Sequence, residues 1–215
     1  RPRSLVEDIA NILSDAIIEG KIHPGEQLVE TDLQEVLQVS RAPVREALLK
    51  LEGQGLVKMV PRKGTFVRSI TPRFIKESFT MRAWLEGLAA RLTAENLKAP
   101  DFEPLDEVLD DMARLARQKD FKAYFYRHAD FHRFFIQNSR NKLLIQRIEV
   151  MRREALWLSY SITYFERYFA ASQKTHKKII DLFRKGHPEE IEMAVRDHIL
   201  KATDHYVRFL KITYP

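Results

Sequence analysis

Apolar positions recur at helical spacing along most of this chain. Leu5, Ile9, Ile12, Leu13, Ala16 and Ile17 share one face of a first helix that Gly20 ends. After the turn Ile22-His23-Pro24-Gly25, Leu28 and Val29 run into a short second helix with Leu33 and Leu37 inward, and Gln38-Val39 form a tight turn. The stretch from Ser40 to Leu51, SRAPVREALLKL, predicts a third helix: Ser40 can cap it, Pro43 is tolerated in its first turn, and Val44, Ala47, Leu48 and Leu51 make its inner face. Gly53 and Gly55 close it. The period then shortens. Residues 56–60 and 65–68 read as two strands joined by Pro61-Arg62-Lys63-Gly64, which attaches a hairpin wing to a helix-turn-helix.

Ser69-Ile70-Thr71-Pro72 marks a boundary, because Thr71 followed by Pro72 is a helix-start signal and only helical patterns follow. Phe74, Ser78, Met81, Leu85, Leu88, Ala89 and Leu92 stripe the next helix, and residues 96–100 break it. Further helices are expected over 102–115, 121–137, 143–163, 165–183 and 191–210, with Gly186-His187-Pro188 as a late turn. The fold class is mainly α: an N-terminal winged helix-turn-helix over 1–70 and an all-α helical bundle over 71–215. There is no internal repeat.

Composition changes this picture little. A chain of 215 residues with 45% hydrophobic content is long enough for two modest domains. It has no cysteine, no apolar run of membrane-spanning length and no signal-peptide pattern, so the expectation is a cytoplasmic protein without a membrane partner. Charge placement says more than the net value of +6. Before residue 41 the only cations are Arg1, Arg3 and Lys21, whereas Arg41, Arg45, Lys50, Lys58, Arg62, Lys63 and Arg68 then face only Glu46 and Glu52. Such clustering suits phosphate neutralisation.

Arg41 and Arg45, four residues apart, fall on the outer face of the third helix near its start. There a guanidinium can fork onto guanine O6 and N7 or onto phosphate, whereas the plain structural reading is a helical hairpin with surface arginines. His128 and His132, also four apart, project from one face, and His176 and His198 lie beside the apolar stripes of later helices. Taken alone, these histidines read either as metal ligands or as core and interface residues. His23, His187 and His205 carry less. Arg82 either forks onto a carboxylate ligand or bridges Glu86 at i+4.

The string LVETDLQEVLQVSRAPVREALLKLEGQGLVKMVPRKGTFV resembles, nearly end to end, the winged helix-turn-helix of the GntR family of bacterial transcription regulators. That resemblance implies DNA contacts from Thr31, Ser40, Arg41 and Arg45, with Arg62, Lys63 and Gly64 carrying the wing tip to the minor groove. Many relatives have arginine where Thr31 stands, and some have glycine where Arg62 stands. HADFHRFFIQNSRN, THKKIIDLF and AVRDHI are similar to the three metal-binding segments of the FCD domain found in the FadR subfamily, and MRAWLEGLAARLTAEN is similar to its opening helix.

In that domain three histidines and an Asp or Asn hold a divalent metal, and a small carboxylate often completes the shell. Carried over, the ligands are His132, His176 and His198. The family's usual Asp is replaced by His128, and Asp130 is turned roughly 200° away along the helix. A four-histidine site without a carboxylate ligand favours zinc or nickel over magnesium or calcium. The resemblance therefore implies a metabolite-responsive, DNA-binding regulator, more often a repressor, acting as a homodimer on a palindromic operator, with Arg82 facing a small carboxylate effector. The rivals are a metal sensor without an organic effector and a metal-dependent hydrolase. The hydrolase needs a general base, and only the misdirected Asp130 stands near.

Overall fold

The computed structural model describes residues 4–18, 20–69, 71–154 and 162–213. Contacts divide the chain into two compact units, one built on Arg1–Ile70 and the other on Thr71–Met151 and Ile162–Pro215.

In the first unit, α1 (Leu5–Ile18), β1 (Gln27–Leu28), α2 (Glu30–Leu37), α3 (Arg41–Gly53), β2 (Val57–Val60) and β3 (Gly64–Val67) follow in order. Ser4 and Glu7 cap α1 reciprocally, each side chain accepting the other's backbone N–H at 3.3 Å. Ile9, Leu13 and Ile17 of α1 meet the inner face of α3, where Val44, Ala47, Leu48 and Leu51 are fully buried, as the spacing predicts. Leu33 and Leu37 are only half-buried. Gln38 ends α2 in the left-handed region, at φ 54°.

Ser40 stands at the start of α3 in extended conformation, but its side chain makes no cap bond. Pro43 gives the reason: it occupies the third helical position, so the amide that a serine cap usually reaches carries no hydrogen.

The wing is a three-stranded antiparallel sheet in the order β1-β3-β2. Val57 pairs with Val67 and Val60 with Gly64, while β1, absent from the sequence expectation, sets Gln27 opposite Phe66. Two residues are too short for a period-two pattern to be visible. At the tip, Lys63 N–H donates to the Val60 carbonyl at 3.0 Å across Pro61 and Arg62. Arg62 holds φ 61°, a conformation glycine adopts more easily. Gln27 Nε2 donates to the Lys63 carbonyl at 3.0 Å, and a Cβ on Gly64 would lie 2.6 Å from that nitrogen.

The second unit is helical throughout its described residues: α4 (Pro72–Asn96), α5 (Glu103–Gln118), α6 (Phe121–Asn138), α7 (Lys142–Glu154), α8 (Ile162–Lys185) and α9 (Pro188–Thr213). Thr71 caps α4 by accepting the Phe74 N–H at 3.1 Å. A 3-10 turn over Ala99–Phe102 precedes α5, which starts one residue later than expected. Residues 155–161, within the expected helix over 143–163, lie outside the described residues. α8 runs unbroken from Ile162, across the expected start at 165.

Phe102, Tyr124, Phe131, Phe135 and Phe183 fill the bundle core. α4 departs from its expected stripe. Met81 is 58% exposed and Leu88 38%, while Ile75, Phe79, Ala83 and Ala90 face inward together with Arg82, Glu86 and Thr93. The helix is apolar on two sides, and its buried side carries Arg82, Glu86 and Thr93 because these find partners across the bundle or along the helix, whereas the buried Ser78 hydroxyl makes no hydrogen bond.

α9 lies close against α4 at Gly87, where a Cβ would lie 2.8 Å from Arg196 Cγ and 3.1 Å from the Glu192 carbonyl oxygen. Gly87→Val is expected to cost about 1–3 kcal/mol by forcing these helices apart. Gly53→Ala, at a helical position with nothing within 4 Å, is expected to stabilise by roughly 0.4–1 kcal/mol. Urea denaturation of both variants checks the contrast.

Candidate functional site

Two sites stand out, one in each unit. In the first, α2, the start of α3 and the wing enclose a groove of about 440 Å³ whose lining includes Thr31, Arg41, Arg45, Arg62, Gly64 and Glu30. Arg45 and Arg62 point into solvent, as does Lys63 at the wing tip. Arg41 is 70% exposed, yet its Nε donates to Glu30 Oε2 at 2.8 Å, a pairing the sequence reading did not include. Ser40 is exposed beside the groove without lining it. Cations on the outer face of a short helix, flanked by a basic hairpin tip, can meet a phosphate backbone and reach base edges.

The second site lies inside the bundle. α6 supplies His128 and His132 one turn apart, α8 supplies His176 and α9 supplies His198. One ring nitrogen of each lies within 4.8 Å of the corresponding nitrogen of every other. The structure thus brings together all four histidines singled out in the sequence, and His205 is not among them. His176 is fully buried and His132 nearly so. The two Nε2 atoms of His176 and His198 are only 3.2 Å apart.

Burial, with the neighbouring imidazoles, holds His176 well below the usual histidine range, and burial followed by His132 pushes His198 down to about 3. Near neutral pH both rings are uncharged bases. Two uncharged rings at that separation either share a proton between the nitrogens or present both lone pairs to one cation. His176 Nδ1 is buried without a hydrogen-bond partner, so its other nitrogen alone engages the cluster. This donor set fits a divalent ion that accepts imidazole.

The surroundings set each ring's orientation. Tyr124, whose hydroxyl burial raises to about 12, stacks on His128 with centroids 6.2 Å apart and planes within 9°. Phe131 packs on His176 at 4.6 Å. His132 Nδ1 lies 2.8 Å from Glu86 Oε2, and Glu86 is fully buried. Arg82 donates from Nε to Glu86 Oε1 at 2.9 Å, so the i+4 bridge is the alternative seen for Arg82. In the sequence Glu86 stands as an i+4 partner for Arg82 and, by the resemblance of the opening helix, at a recurrent Glu position, with no role at the histidines assigned to it. Its reach to a histidine on α6 had no local signal.

Comparison with known proteins agrees with both halves. Residues 5–67 match the model of bacterial regulatory proteins of the gntR family, and residues 77–201 match the FCD domain. The chain is 27% identical over 203 residues to the uncharacterized HTH-type transcriptional regulator YdhC of Bacillus subtilis (strain 168), covering 94% of this chain and 88% of that one. It is 24% identical over 200 residues to the HTH-type transcriptional repressor RspR of Escherichia coli (strain K12), covering 92% and 87%. The solved structure of E. coli McbR/YncC superposes with a TM-score of 0.74 at 20% identity, covering all of both chains, which shows a shared fold. The winged helix-turn-helix of the first unit and the four-histidine bundle of the second are thus the two parts of one architecture, and the chain belongs to the gntR family of bacterial transcriptional regulators, with an FCD domain as its second part.

Proposed function

We propose that this regulator acts as a homodimer on a palindromic operator, through residues 1–70, and that residues 71–215 hold the dimer together and bind a divalent metal with a small organic acid. The single observation that carries the metal reading is the convergence of four imidazole nitrogens, at least two on rings kept uncharged, within 4.8 Å. His128, His132, His176 and His198 would be the ligands, with zinc or nickel the best matched ions. When bound, the ion supplies a positive centre that attracts a carboxylate effector. Effector occupancy would then alter how the DNA-binding domains engage the operator, and linkage makes that coupling reciprocal.

One observation favours the second reading, a metal sensor without an organic effector. Arg82, the cation expected to receive the effector carboxylate, is already bonded to Glu86. Four protein ligands can also complete a tetrahedral shell by themselves. Titration of candidate acids at fixed metal separates the two.

For the DNA face, Arg45→Ala is expected to weaken binding to the specific operator by about 1–3 kcal/mol while stability is unchanged. Gel-shift titrations on specific and scrambled DNA check it: equal loss on both would make Arg45 a phosphate contact, and no loss would remove α3 from the interface. Arg62→Gly is expected to separate fold from function. Glycine relieves the positive φ, so stability should hold or rise, whereas affinity should fall on every sequence and the slope of log affinity against log salt should shrink by about 0.9.

For the metal, stripping with a chelator is expected to lower the melting temperature, because an ion bound only by the folded bundle stabilises it by mass action. That amounts to about 2.7 kcal/mol at a free concentration one hundred times Kd. Elemental analysis should find metal lost in His132→Ala, His176→Ala and His198→Ala and kept in His205→Ala. His128→Asp should keep metal and shift preference toward manganese. A wild type without stoichiometric metal after reconstitution would leave these histidines lining a metal-free cavity.

A further inference from the structure

The Arg82–Glu86 pair links the first helix of the bundle to the histidine cluster. Glu86 is fully buried and uses its two oxygens differently: Oε1 accepts from Arg82, and Oε2 faces His132 Nδ1 at 2.8 Å. Arg82 is itself buried, its guanidinium packed over the Phe79 ring at 4.7 Å, so the pair is clamped on its own helix before it meets α6. A neutral imidazole carries one proton and one lone pair. Placing a carboxylate oxygen against Nδ1 draws the proton there and leaves the lone pair on Nε2. With Nδ1 engaged by Glu86, that is the nitrogen left to join the cluster, in which one ligand atom of each ring lies within 4.8 Å of the others.

We infer that Glu86, held by Arg82, is a positioning residue for the metal centre: it fixes the Nδ1–H tautomer and the ring orientation of His132, and thereby sets the affinity of the four-histidine site. The inference rests on the metal reading above and goes beyond it, because it moves Arg82 from the effector to the support of a ligand. It also gives α4 a direct part in the site. The helix that follows the wing in sequence would then be tied to α6, α8 and α9 when the ion is bound. Outer partners of a metal-binding histidine typically matter ten- to a hundredfold in affinity.

The test uses the full chain, stripped with chelator and titrated with zinc against a chromophoric competitor. Glu86→Leu combined with Arg82→Met removes the acceptor without leaving an unpaired buried cation, and zinc affinity is expected to fall ten- to a hundredfold while the circular dichroism of the helices is unchanged. Glu86→Gln keeps an acceptor oxygen in the same place and is expected to stay within tenfold of wild type. A folded double variant with wild-type affinity overturns the inference. A Gln variant as weak as the double variant also overturns it, since charge rather than orientation would then be what the site loses.

The tautomer gives a readout independent of any variant's folding. Long-range proton–nitrogen correlation spectra of the metal-free wild type are expected to place the His132 proton on Nδ1, and a proton on Nε2 overturns the inference. Failure of the metal reading is told apart because it shows in the wild type itself. A wild type that takes up no zinc removes both, whereas one that binds zinc equally well with and without Glu86 removes only this inference.

Discussion

A carboxylate with no exposure to solvent is the constraint around which the bundle is arranged. Glu86 would cost several kcal/mol in an apolar interior without partners, and removing either partner alone would leave one of its oxygens stranded. Arg82 answers it from one turn earlier on α4, and His132 answers it from α6. The contact with His132 goes with an α4 that packs on α6 and α9 by the face carrying Arg82 and Glu86, while Met81, Trp84 and Leu88 are left toward solvent. The neighbouring Gly87 lets α9 come close enough for its backbone to press on α4. α9 is the helix that carries His198 to the cluster.

The two units use charge in opposite ways. Along the groove of the first unit the cations are exposed, so their influence on a polyanion would be long-ranged, additive and screened by salt. Glu30 moderates this by pairing with Arg41, and a phosphate arriving at Arg41 would have to compete with that carboxylate. In the bundle the titratable groups are enclosed. Burial removes the charge from His176 and His198 and leaves them as lone-pair donors inside the bundle. A cation placed among them would replace lone-pair repulsion with coordination, and it would bind together three separate helices.

His128 fits the same enclosure. A ring at this position stacks on Tyr124 and meets His132 edge-on with centroids 4.9 Å apart, so it is packed as an aromatic as well as gathered into the histidine cluster. An imidazole here brings no negative charge into the cluster, which meets the Glu86 carboxylate through His132.

Much of this was legible before any coordinates. Helical spacing located α1, α3 and the bundle helices, Thr71-Pro72 placed the start of α4, and the i, i+4 spacing of His128 and His132 put both on one face. All of these depend on neighbours within a turn or two, which is the range over which periodicity and capping act. The motif strings then identified the family, because they preserve the residues at each such local decision in order. What the chain alone did not decide depends on contacts between distant segments. β1 exists only because β3 lies beside it, and Ser40 loses its capping role to a proline three positions on. The buried face of α4 was located only in part, with Ser78 and Ala89 inward but Met81 and Leu88 exposed, because that helix is apolar on two sides and packing against α6 and α9 chooses between them. Glu86 reaches His132 across 46 positions of sequence, a distance over which no pattern of hydrophobic and polar residues carries information, so its place in the site had to come from the tertiary structure.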